Sequence, residues 1–110
     1  MQYLMFVATD PEGEPYSAEE DKIEDWWNDV ESRGIWKEGN RLRPAEEATT
    51  VRVRNGSTLV ADGPFTESKE RIVGYDVLEC TNLDEAIEVA SKHPMARFGR
   101  IELRPVWPLD

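Results

Sequence analysis

Apolar and polar positions alternate along this chain with two different periods, and the period switches mark the elements. Gln2 to Ala8 is a near-continuous apolar run without Gly or Pro, which predicts a strand covered on both faces. Thr9 to Tyr16, with Pro11, Gly13 and Pro15, reads as a loop. Ser17 then opens a predicted helix, with Ser17 and Glu20 as a capping box and Glu19, Glu20 and Asp21 at its positive end. Ile23, Trp26, Trp27 and Val30 follow at i, i+3, i+4 and i+7, one apolar stripe, and Gly34 stands at the stop position.

The second half reads mostly as strands. Ile35 to Leu42 is a strand with Gly39-Asn40 as a bulge or turn, and Arg43 to Ala48 connects it onward. Thr49 to Arg54 and Ser57 to Ala61 flank Asn55-Gly56, a strong hairpin signal. In such a hairpin Val51 and Val53 share one face, and Arg52 and Arg54 the other. From Arg71 to Cys80, Ile72, Gly74, Asp76, Leu78 and Cys80 alternate against Val73, Tyr75, Val77 and Glu79. Asn82 with Glu85 caps a second helix, with Leu83, Ala86, Ile87 and Ala90 as its inward stripe and Pro94 as its end. Pro94 to Gly99 reads as a bend and Arg100 to Trp107 as the last strand. Two β-α-β units around an extra hairpin predict an α+β, ferredoxin-like split βαβ sandwich in one domain, residues 1–110. One sheet face would carry both helices, and the other would close against a second copy, because the chain supplies no third layer.

Charge narrows the partners. The chain carries −10 overall, of which residues 1–40 hold −8. Such a chain repels phosphate backbones and anionic membranes, so neither nucleic acid nor membrane is expected as a partner. The arginines of the second half can still hold a small anion. A lone cysteine, Cys80, excludes a disulfide framework, suits a reducing cytosol and reads as a small core residue. No signal peptide or membrane-length apolar run is expected, and no metal or cofactor motif stands out.

The candidate chemistry centres on Asp62 to Tyr75. Pro64 has no N–H, so the usual bond from the Asp62 carboxylate to the N–H two residues on cannot form. That carboxylate either caps the turn differently or serves a ligand. Phe65 offers an apolar anchor, and Glu67, Lys69, Glu70, Arg71 and Tyr75 supply polar groups beside it. His93, the sole histidine, stands at a helix end, where carbonyl ends favour its protonated form; it is either an acid–base group or a cap. Trp26 and Trp27 are either core or the lining of a ligand site, and Arg52 either surface or an anion clamp.

These residues also carry a resemblance. Thr49-Thr50-Val51-Arg52, Asp62-Gly63-Pro64-Phe65, Glu67-Ser68-Lys69-Glu70, Gly74-Tyr75, His93-Pro94-Met95-Ala96 through Gly99, and Glu102-Leu103-Arg104-Pro105 together resemble the DGPF branch of the YCII-related family. The resemblance spans nearly the whole chain. It implies a small, cytosolic, bacterial dimeric α+β barrel and, by family analogy only, a sigma factor as a regulatory partner. In the YCII proteins proper, a histidine on the first helix and a late Asp-Pro aspartate form a suggested acid–base pair. Here the first helix has Trp26 and Trp27 instead, and His93-Pro94 stands where that Asp-Pro would be, so the pair does not carry over.

Two functional readings follow. In the first, a small, anionic or aromatic ligand binds between sheet and helices near a homodimer interface. Asp62 or His93 moves a proton there, Arg52, Lys69 and Arg97 hold the anion, and Phe65, Glu67, Glu70 and Tyr75 complete the wall. In the second, the chain is a non-catalytic module working through protein contacts in stress or transcription regulation.

Overall fold

Residues 2–8 of the first strand, β1 (Gln2–Thr9), alternate in burial, and the rest of the fold is assembled on that alternation. A computed structural model describes residues 1–64 and 71–108. The elements after β1 run α1 (Ile23–Ser32), β2 (Trp36–Arg41), a 3-10 turn (Ala45–Glu47), β3 (Thr49–Arg54), β4 (Ser57–Asp62), β5 (Ile72–Glu79), α2 (Leu83–Ser91), α3 (Met95–Phe98) and β6 (Gly99–Pro105). The main sheet has the order β2-β5-β1-β6, with every neighbouring pair antiparallel. With the β3–β4 ribbon set apart, this is the ferredoxin-like α+β arrangement.

Tyr3, Met5 and Val7 of β1 point to one side, together with Leu78 of β5. Both long helices bury their stripes there: Trp26 and Val30 from α1, Ala86, Val89 and Ala90 from α2. The Trp26 indole N–H donates to the Val89 carbonyl at 2.9 Å, tying the two helices together inside the core. Cys80 lies in the same core.

Several boundaries differ from expectation. The first helix starts at Ile23 and not at Ser17, and the Ser17–Glu20 capping box does not form. Tyr16 is drawn away: its ring packs edge-on against Phe98 at 5.1 Å and its hydroxyl donates to Asp21 at 2.6 Å. The Glu20 N–H closes a turn on the Ser17 carbonyl instead, and Asp21 accepts the Ile23 N–H. The register shift in β2 falls between Trp36 and Glu38 and not at Gly39-Asn40. The α2 stripe is rotated: Val89 is buried, whereas Leu83 and Ile87 are each 50 % exposed. The expected bend after Pro94 is a single helical turn, α3. Finally, β1 is covered on one face only; Leu4, Phe6 and Ala8 point away from the helices and are half-buried.

The hairpin forms as the sequence predicts. Asn55 and Gly56 both take positive φ, 51° and 77°, the pair that a tight two-residue turn requires. Val51, Val53 and Val60 share one face, and Arg52, Arg54 and Leu59 the other. Only Thr50 of the twelve strand residues is more than slightly sheltered. The ribbon therefore stands away from the sheet, and the radius of gyration is 16.0 Å, against about 13 Å for a compact domain of this length.

Packing sets a stability contrast. Met5 is fully buried at the centre of β1, so Met5→Ala should cost about 2–5 kcal/mol in urea unfolding. Ile87→Ser, at a half-exposed position, should cost less than about 1 kcal/mol.

Candidate functional site

Antiparallel pairing places the C-terminal ends of β1 and β2 beside the N-terminal ends of β5 and β6. All connections carrying the sequence candidates meet at that end of the sheet: the 10–22 loop, the ribbon with its return, and the α2–α3 junction. Each candidate there has a definite position. Phe65, Glu67, Lys69 and Glu70 lie outside the described residues.

Asp62 ends β4 opposite Thr49, with its side chain open to water. Backbone contacts fix the turn behind it: the Gly63 N–H donates to the Ala48 carbonyl at 2.7 Å, and the Thr50 hydroxyl donates to the Gly63 carbonyl at 2.7 Å. Arg52 points from the other face of the same ribbon. Within one chain Asp62 and Arg52 thus diverge, and the desolvation that acid–base work needs is missing at Asp62. Tyr75 lies on the uncovered sheet face. Its hydroxyl accepts from Asn40 at 3.0 Å and reaches Glu38 at 3.5 Å. Arg97 is committed to the 14–20 loop: it makes two bonds to Glu14, at 2.9 and 3.3 Å, an ion pair with Glu20 at 3.5 Å, and lies over the Phe98 ring. It ties that loop down.

His93 is buried at the α2–α3 junction. Its Nδ1 accepts the Met95 N–H at 3.0 Å, and its ring packs edge-on against Trp26 at 4.7 Å. Burial lowers its pKa to about 4, against a smaller opposing pull from Asp21. The expected protonated form is therefore overturned: the cost of desolvating a cation exceeds what the helix carbonyls return. His93 is a neutral cap that also plugs the core.

The described carboxyl that burial pushes toward its neutral form is a different one. Asp76 belongs to the inward register of β5, between Gly74 and Leu78, directly across from Gly39. Its Oδ1 accepts the Trp36 indole N–H at 2.8 Å. Trp36 in turn packs edge-on against Trp27 of α1, with ring centroids 4.2 Å apart. A Cβ on Gly39 would crowd both that Oδ1 and the Tyr75 backbone carbonyl, so only glycine fits across from Asp76. Burial raises the Asp76 pKa, and the Trp36 bond only partly offsets this. Sequence reasoning missed the cluster, although one signal was present: an acid in the inward phase of the best strand.

This arrangement combines a desolvated carboxyl with two indoles at the edge between sheet and α1. A carboxyl with a raised pKa can donate a hydrogen bond when neutral, accept one when charged, and exchange a proton with a bound molecule. Indole faces add stacking or cation–π attraction. Among the described residues, hollows lie elsewhere. One of about 380 Å³ at the far end of the sheet includes Arg33, Cys80 and Glu85, but Arg33 is held by Asp29, Glu85 and Glu88 and burial pushes the Cys80 thiol up. Another, about 460 Å³, is the apolar groove between α2 and β6. Among the described residues no cluster of three or more metal-ligating side chains occurs, and no helix is long and apolar enough to cross a membrane.

His93 fixes the acid limb of the stability profile. Its ionisation lies near 4 when folded and near 6.5 in its ordinary state, so between these values the unfolded chain binds more protons. The His93 contribution is complete above about pH 6.5 and disappears toward pH 4, a loss of about 3 kcal/mol. Urea unfolding from pH 7 to 4 should show the wild-type chain losing that much more than His93→Gln.

The YCII-related domain family matches residues 1–110. An uncharacterized protein of Rhizobium meliloti (strain 1021), R00369, is 41 % identical over 68 residues, which is 60 % of this chain and 55 % of that protein. The matched stretch thus spans about half the length of this curated relative. With the ferredoxin-like strand order and a family match from first residue to last, the chain belongs to the YCII-related family.

Proposed function

We propose that this protein is a homodimeric small-molecule-binding domain whose ligand enters between the sheet and α1, at Asp76, Trp36 and Trp27. One observation carries the reading: an acid is kept on the inward side of the sheet, at a cost. Burial disfavours its charged form, so above the ordinary carboxyl range Asp76 lowers stability. Gly39, across from it, leaves space for the carboxyl as well as for the Tyr75 carbonyl. Groups that reduce stability and are still accommodated by their surroundings are characteristic of functional sites. The ligand this chemistry suits is a small aromatic molecule bearing a hydrogen-bond donor, with its ring against the indoles and its donor on Asp76. Proton transfer, where the bound molecule undergoes any, falls to Asp76. A second copy of the chain on the uncovered sheet face supplies the missing layer.

Asp76→Asn tests both parts. An asparagine retains an acceptor for the Trp36 indole but carries no charge. At pH 7 the variant should be at least as stable as wild type, and its advantage should shrink as pH falls into the carboxyl range. In a thermal-shift screen of small aromatic amines and phenols, any compound that stabilises wild type and changes its tryptophan fluorescence should lose both effects in Asp76→Asn. A compound that shifts both proteins equally would place the site elsewhere.

A further inference from the structure

Acids elsewhere on this chain find bases: Asp10 meets Arg100, Glu14 meets Arg97 and Asp29 meets Arg33. Asp76, in the inward register of β5, does not. Among the described residues no lysine or arginine pairs with it, and burial works against its charge with only the Trp36 indole N–H to oppose it. The bases of β2, Lys37 and Arg41, are exposed and neither reaches it. The Trp36 bond occupies Oδ1, and a carboxylate has further acceptor sites on Oδ2. A carboxylate drawn part-way out of water without a counter-charge is a strong acceptor for one that a ligand brings. Asp76, Trp27 and Trp36 are each half-buried, so each keeps surface that a dissolved molecule can reach. The two indoles stand edge to face at 83°, and the ring that gives its edge keeps its faces for another neighbour. Indole is the aromatic face that attracts cations best. The surrounding field has the same sign: residues 1–40, which supply both indoles, carry −8, and α1, which holds Trp27, has four acids and no base.

We propose that the ligand of the Asp76 site is a small aromatic ammonium, its charged nitrogen on the Asp76 carboxylate and its ring and methylene against the Trp27 and Trp36 indoles. The inference rests on the binding reading above and narrows it from any aromatic hydrogen-bond donor to a cation. A phenol satisfies the free acceptor but leaves the carboxylate's charge uncompensated. An ammonium does both, and its CH₂ groups next to nitrogen carry part of the positive charge onto the indole faces. The small anion expected from the arginines of the second half has no place here. It would meet a carboxylate beside an acidic helix, while Arg52 stands on the ribbon and Arg97 is tied to Glu14.

The experiment titrates two probes of like size into the full chain by calorimetry at pH 7 and low ionic strength: benzylamine, which is protonated there, and benzyl alcohol, which is neutral. In the wild-type chain benzylamine should bind roughly tenfold tighter or more. In Asp76→Asn, which keeps an acceptor for the Trp36 indole, the two probes should bind alike. Trp27→Phe keeps a ring with a weaker hold on cations; it should weaken benzylamine several-fold and leave benzyl alcohol nearly unchanged. Equal affinities in wild type, both lost in Asp76→Asn, overturn the ammonium and leave the site standing. A benzylamine preference that survives in Asp76→Asn overturns the ammonium and the site together, because the charge is then read elsewhere on the acidic surface. No saturable binding of benzylamine also overturns the ammonium, and the site then stands or falls on the phenols compared between wild type and Asp76→Asn.

Discussion

The central constraint is that the two central strands carry apolar residues on both faces, and among the described residues the long helices cover only one of them. Strand alternation sends Tyr3, Met5 and Val7 to one side and Leu4, Phe6 and Ala8 to the other. Both α1 and α2 are used on the first side, where the Trp26–Val89 bond and the neutral His93 ring close the layer. Among the described residues the ribbon does not supply that cover, because it stands away from its own sheet. The proposed dimer follows from that shortage of cover.

The polar groups sort by the same logic. On the wet side, charges pair and are screened: Arg97 with Glu14, Arg100 with Asp10, Arg43 with Glu47. Such exposed pairs organise loops and add little stability. On the dry side, His93 and Asp76 are shifted in opposite senses of stability. His93 is held neutral and contributes stability that disappears in acid. Asp76 is driven toward its neutral form and costs stability as it ionises. One is a structural plug, and the other is the group on which the proposed function rests.

Much of the fold was legible in the sequence, for reasons visible in particular residues. Asn55-Gly56 fixed the hairpin because few other pairs accept two positive φ values. Asn82 with Glu85 fixed the start of α2: the Asn82 side chain accepts the Glu85 N–H and Glu85 accepts the Thr81 N–H. The Ser17 box misled because a long-range contact between Tyr16 and Phe98 outweighs a local cap. The α2 stripe misled because Leu83 and Ile87 look inward on a helical wheel, yet face the groove beside β6. At the site, attention to Asp62 and His93 followed their unusual sequence neighbours. What desolvates a carboxyl is set by pairing register: Asp76 meets Gly39 only through β2–β5 alignment, and Trp36 meets Trp27 only through the α1 crossover. Neither contact is local in sequence.

The most direct test of one-sided cover is hydroxyl-radical footprinting of the aromatic side chains across a dilution series. Tyr3, on the helix-covered side, should stay protected at every concentration. Phe6 and Tyr75, on the other side, should be protected in concentrated protein and become reactive together as the protein is diluted. Phe6 and Tyr75 reacting equally at all concentrations, with no protected regime, would contradict the account.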